Sequence, residues 1–74
     1  MKEWNDIIRG LREDRDLTQQ YIAEILQTSQ SYYAQYENGK RQLPQRHLKT
    51  LCLFYHVSAD YILGLPKDLP YPGK

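Results

Sequence analysis

A chain of 74 residues makes one small domain, which buries only roughly 60% of its unfolded surface and so has room for a binding face but not for a deep cleft with a lid. With 26% charged and 41% hydrophobic residues the composition excludes a disordered polyampholyte. The single cysteine, Cys52, excludes an intrachain disulfide, and no apolar run approaches the ~18–20 residues that a membrane span needs.

The net charge of +1 conceals an uneven distribution. Residues 1–37 sum to −3, whereas residues 38–59 hold Lys40, Arg41, Arg46 and Lys49 with no acid. Positive charge thus collects in one stretch, as a phosphate backbone would require, although four cations alone fit a solvated loop equally well. The N-terminus, MKEWNDIIRG, carries acids where a secretion signal needs a basic start and an apolar stretch, so the expected location is cytoplasmic.

In chain order, Trp4, Ile7, Ile8 and Leu11 recur at helical spacing and predict a first helix over Glu3 to Asp14, closed by the polar pair Arg15-Asp16. Thr18 is a good N-cap for a second helix, with Leu17 and Ile22 at the spacing of a hydrophobic staple. Ile22, Ala23, Ile25 and Leu26 form its buried face. Ser29 caps a third helix in the same way, Tyr33, Ala34 and Tyr36 supply its apolar side, and Gly39 ends it. Pro44 suits the first turn of a fourth helix, in which Leu48, Leu51, Cys52 and Tyr55 make a core stripe. Ser58 caps a short fifth helix, Ala59 to Leu63, with a second staple pair in Val57 and Ile62 and a stop at Gly64 and Pro66. The tail, KDLPYPGK, is proline-rich and expected to be loosely ordered. With no strand pattern and no internal repeat, the fold class is all-α: a domain over residues 1–66 and a tail over 67–74.

The most informative stretch is LTQQYIAEILQTSQSYYAQYENG, Leu17 to Gly39. Its second half presents glutamines and tyrosines where an ordinary solvated helix carries carboxylates and lysines. An amide side chain can bind a base edge through donor and acceptor together, as glutamine does at N6 and N7 of adenine. Glutamine is also an acceptable surface residue in any helix, so Gln30 and Gln35 acquire meaning only from their context.

That context is a resemblance. LTQQYIA, YENGKR and VSADYILG, in this order and spacing, resemble the helix-turn-helix family of phage repressors and Cro, the xenobiotic-response-element-type regulators. The likeness runs from about Ile8 to Leu65. It implies a compact five-helix, lambda-repressor-like DNA-binding domain with the helix-turn-helix at helices two and three. By resemblance, Gln19 touches phosphate and braces the recognition helix. Gln30, Ser31, Tyr32 and Gln35 face base edges or adjacent phosphates, the cap residue Ser29 belongs to the same DNA-binding set, and Asn38, Lys40 and Arg41 contact the backbone beyond that helix. Arg12 and Glu37 match a partly buried ion pair between helices one and three.

The chain departs from the family pattern in three places. Gln27 stands where the turn usually has glycine, so a side chain must tolerate an unusual backbone. Tyr33 and Tyr36 replace small aliphatic residues, which predicts an outward shift of the third helix and hydroxyls in need of partners. Leu53 and Phe54 place apolar surface on the fourth helix, where a second subunit would fit.

His47, Cys52 and His56 lack a convincing fourth ligand for zinc, and Cys52 reads instead as a buried thiol. No nucleophile comes with an orienting group and oxyanion donors. The expectation is therefore a non-enzyme without metal, cofactor or evident small-molecule effector. The function implied is sequence-specific regulation of transcription, as a repressor: a homodimer reading a palindromic operator in double-stranded DNA, with half-sites about one helical turn apart. The alternative is a protein-interaction module of the same fold, such as the antitoxin of a toxin–antitoxin pair.

Overall fold

The computed structural model describes residues 3–64; the proline-rich tail and the domain boundary at residue 66 lie outside the described residues. Five helices follow in order: α1 (Trp4–Asp14), α2 (Gln19–Ile25), α3 (Gln30–Glu37), α4 (Gln45–Tyr55) and α5 (Ala59–Leu63). No strand occurs among the described residues.

Three helices begin with the same local device. The hydroxyls of Thr18, Ser29 and Ser58 accept from the backbone N–H of Tyr21, Tyr32 and Tyr61 at 3.0, 3.1 and 3.1 Å, which satisfies one otherwise unpaired amide at each start. The other two differ slightly from the sequence reading. Glu3 is the N-cap of α1, without a side-chain cap bond, rather than its first residue. Pro44 is the N-cap of α4, one position before the first turn.

Left-handed residues close several helices. Gly39 and Gly64, at φ 73° and 74°, were foreseen, and Gln27 adopts the strained φ of 60° that its place in the turn demanded. Asp16 and His56, at 55° and 59°, do the same with no glycine to announce them. At Gly39 the backbone is doubly constrained, because a Cβ there would also lie 3.3 Å from Nδ2 of Asn5.

The core gathers Ile8, Leu11, Ile22, Ala23, Leu26, Tyr33, Tyr36, Leu51, Tyr55 and Ile62. Tyr33 and Tyr36 belong to it rather than to the surface, and their rings meet edge to face at 6.2 Å. Tyr36 also packs edge to face on His47. The α4 stripe is deeper at its centre than at its rim. Leu51 and Tyr55 are buried, but Leu48 and Cys52 are half-buried, and Cys52 lines an open groove with Leu48, Lys49, Val57 and Ala59. The reading of Cys52 as a buried thiol is corrected accordingly: the side chain is half-buried and lines that groove. Phe54 is half-buried between Tyr21 and Tyr55, so of the expected apolar surface on α4 only Leu53, 68% exposed, is free.

Candidate nucleic-acid interface

The end of α3 is fixed from inside by one carboxylate. Glu37 is fully buried, which an isolated charge could not tolerate. Arg12 meets it with two parallel bonds, Nε to Oε2 at 2.7 Å and Nη2 to Oε1 at 3.0 Å. The Tyr33 hydroxyl donates to Oε2 at 2.6 Å, and Gln19 Nε2 donates to Oε1 at 3.1 Å. Burial alone pushes the Glu37 pKa up, but hydrogen bonds from these three side chains outweigh it and hold the carboxyl below its ordinary value. The same bond to Glu37 raises the pKa of Arg12. Residues 12, 19, 33 and 37 thereby tie α1, α2 and α3 into one unit.

From this hub the order passes outward. Gln30, exposed at the start of α3, donates from Nε2 to Oε1 of Gln19 at 2.6 Å. The chain Glu37–Gln19–Gln30 thus holds the first side chain of α3 in a defined place. Ser29 is engaged as the cap, and Ser31 and Tyr32 are exposed beside it. The Tyr32 ring is steadied by an edge-to-face contact with Tyr36 at 5.7 Å.

Arg41 lies back against the helix. The turn at Gly39 lets the backbone N–H groups of Lys40 and Arg41 both donate to the Gln35 carbonyl, at 2.9 and 3.3 Å. This folds Arg41 over α3, where its Nε donates to Gln35 Oε1 at 2.7 Å and its guanidinium lies 4.6 Å from the Tyr32 ring centroid. Gln35 is half-buried and Lys40 is exposed.

Sequence reasoning missed Arg9 and Asn5. Arg9 Nη2 donates to the Glu37 carbonyl and to Asn38 Oδ1, both at 3.3 Å, and its Nε lies 3.6 Å from Glu37 Oε1. Asn5 Nδ2 donates to the same carbonyl at 3.3 Å. The signal was present: Asn5, Arg9 and Arg12 fall at i, i+4 and i+7, a polar stripe beside the apolar one of α1. Asn38, expected at the DNA backbone, is thus also held by α1.

The helix-turn-helix family profile matches residues 8–62, so the fold and this hub define a helix-turn-helix domain of the Cro and phage-repressor type. The chain belongs to that family of transcriptional regulators. It is 39% identical over 61 residues to the uncharacterized HTH-type transcriptional regulator YobD of Bacillus subtilis, covering 82% of this chain and 54% of that one. It is 33% identical over 62 residues to the HTH-type transcriptional activator BcrR of Enterococcus faecalis, covering 84% of this chain and 30% of the other. The chain therefore spans about half the length of the first relative and under a third of the second. Among solved structures, a transcriptional regulator from Listeria innocua superposes with a TM-score of 0.83 at 22% identity, covering 92% of this chain and 64% of that one. The P22 c2 repressor, solved in complex with a synthetic operator, superposes with a TM-score of 0.77 at 21% identity, covering 85% and 96%. Both share the fold.

Proposed function

We propose that this chain binds double-stranded DNA sequence-specifically, with α3 in the major groove, and regulates transcription by occupying an operator as a repressor. The observation that carries this reading is the exposed face of Gln30, Ser31 and Tyr32, pre-ordered through Gln19 by the buried Glu37 and followed by the cations at 40, 41, 46 and 49. Gln30, Ser31, Tyr32 and Gln35 are the residues assigned to base edges or adjacent phosphates. Gln19, Ser29, Asn38 and Lys40 are assigned to the sugar–phosphate backbone, and Arg41 to the same side. Free amides at the starts of α2 and α3 add partial positive charge toward the phosphates. A domain this small buries limited surface on DNA, so two copies on a palindromic site supply the affinity. The exposed Leu53, Tyr61 and Leu63 of α4 and α5 offer the pairing face.

Selection from a random duplex pool tests the reading. The expected product is a palindrome with half-sites about one helical turn apart. Binding to it should weaken steeply with salt, and Lys40→Ala should flatten the slope of log K against log salt by about one unit. Absence of binding to any duplex at low salt would instead assign the fold to protein interaction, as in the antitoxin of a toxin–antitoxin pair. Sedimentation showing a monomer both free and on DNA would remove the dimer.

A further inference from the structure

Arg41 and Gln35 form a single chemical unit on the outer face of α3. A free glutamine amide offers one acceptor and one donor group, the pattern that pairs with adenine N6 and N7. Here the acceptor is occupied: Gln35 Oε1 takes the Nε–H of Arg41 at 2.7 Å, and the Tyr32 ring lies against the same guanidinium. The second lone pair of Oε1 lies beside that cation, so an amino group approaching it meets a donor and a positive charge. What the pair projects outward is therefore all donor. Gln35 keeps its Nε2 protons, and Arg41 keeps four Nη protons with no protein acceptor among the described residues. Guanine presents two acceptors, N7 and O6, on its major-groove edge, whereas adenine and cytosine present amino donors there.

We propose that Arg41 is a specificity-determining residue, which turns the Gln35 amide into a donor-only group and selects guanine over adenine at the base that Gln35 faces. The proposal rests on α3 reading the major groove, and it gives Arg41 a different role from a phosphate contact. A phosphate contact positions the protein without sequence information, but an arginine clamped to Gln35 and Tyr32 acts through the base.

The test is selection from random duplexes by the unaltered protein, Arg41→Ala, Arg41→Lys and Gln35→Ala, with salt titrations on the selected sites. The unaltered protein should require guanine at one position of each half-site. Arg41→Ala frees Oε1 and should swing that position toward adenine, a change in the guanine-to-adenine ratio of about tenfold or more, within the range of one bidentate base contact. Arg41→Lys keeps the charge but loses the planar fork and the stack, so it should lose the guanine preference while keeping the salt slope. Gln35→Ala should lose preference at the same position and no other. Arg41 is exposed, so unchanged thermal unfolding of its variants separates this effect from misfolding. The proposal is overturned if Arg41→Ala weakens all sequences equally and lowers the salt slope by about one, the signature of a phosphate contact. It is also overturned if the unaltered protein selects adenine at the Gln35 position. Failure of the unaltered protein to bind any duplex would overturn the DNA reading beneath it, a result distinct from a site selected without guanine.

Discussion

Arg12 and Glu37, 25 residues apart in the chain, face each other with two hydrogen bonds of 2.7 and 3.0 Å around a carboxylate that no solvent reaches. Because the carboxylate is also bound by Tyr33 and Gln19, it is the point at which α1, α2 and α3 share one charge. Breaking a buried pair leaves a stranded charge and costs about 3–5 kcal/mol. Glu37→Ala is therefore expected to lower the urea unfolding free energy by that amount. A loss no larger than the ~0.5 kcal/mol of an ordinary surface change would show that the pair is ornamental.

Two buried tyrosines should respond oppositely to loss of their hydroxyls. The Tyr33 hydroxyl donates to Glu37 at 2.6 Å, and a bond to a charged group contributes about 1.5–3 kcal/mol. The Tyr55 hydroxyl is buried and finds no partner among the described residues. Tyr33→Phe should thus destabilise by that amount, while Tyr55→Phe should be neutral or stabilise by about 1 kcal/mol. Urea midpoints measured at unchanged slope decide the matter; equal losses for both would refute the distinction.

Acid should loosen the fold in two stages. Burial first, and the nearby charge of Arg46 second, hold the His47 imidazole below its ordinary 6.5. Below that value the unfolded chain takes the proton before the folded one does, so stability falls as pH drops from 6.5 toward the lower folded value. Glu37, held below 4.5 by its donors despite burial, stabilises fully above 4.5 and loses that contribution as pH falls through its folded value. Thermal midpoints followed from about pH 8 to about pH 3 should show both limbs. His47→Gln should flatten the upper limb alone, and Glu37→Gln the lower. An unchanged upper limb in His47→Gln would remove His47 from the account.

Features set by neighbours in sequence were legible; those set by distant ones were not. The caps at Thr18, Ser29 and Ser58 are bonds to an amide three residues on, so residue type and spacing fixed them. The Arg12–Glu37 pair was reached only through family resemblance, because nothing in its spacing brings α1 against α3. Arg9 and Asn5 were lost for the same reason. The fold of Arg41 back over α3 was not legible because its direction depends on the turn that follows Gly39. The left-handed Asp16 and His56 carry no sign of their own, since strain at one residue is outweighed by packing elsewhere.

The turn between α2 and α3 holds removable strain. Gln27 has φ 60°, a conformation that costs a side-chain-bearing residue about 1–2 kcal/mol. Glycine adopts it freely but adds about 0.5–1 kcal/mol of unfolded-state entropy to be lost. Gln27→Gly should therefore gain about 0.5–1 kcal/mol net, and Gln27→Ala, which keeps the Cβ, should gain nothing. Urea unfolding of both variants provides the check, and destabilisation by Gln27→Gly would mean that the side chain, not the backbone, matters at this turn.

Gln19 separates what stabilises the fold from what orders the recognition surface. Its Nε2 donates to Glu37 at 3.1 Å, beside the donors of Arg12 and Tyr33, whereas its Oε1 accepts from Gln30 Nε2 at 2.6 Å. Removing the amide leaves Glu37 bound by Arg12 and Tyr33, so Gln19→Ala is expected to cost about 1.5 kcal/mol of stability, the low end for a bond to a charged group. Gln30 would then lose its fixed position and have to be ordered on binding, which adds about 0.5–1.5 kcal/mol to the binding free energy. Lost phosphate contact adds to this on every sequence, but loss of order in Gln30 falls on the selected operator alone. Fluorescence anisotropy with the selected duplex and a scrambled one should show specific binding weakened about two- to tenfold more than non-specific binding, the ratio to which that ordering cost converts. Equal weakening of both would assign Gln19 to the phosphates alone.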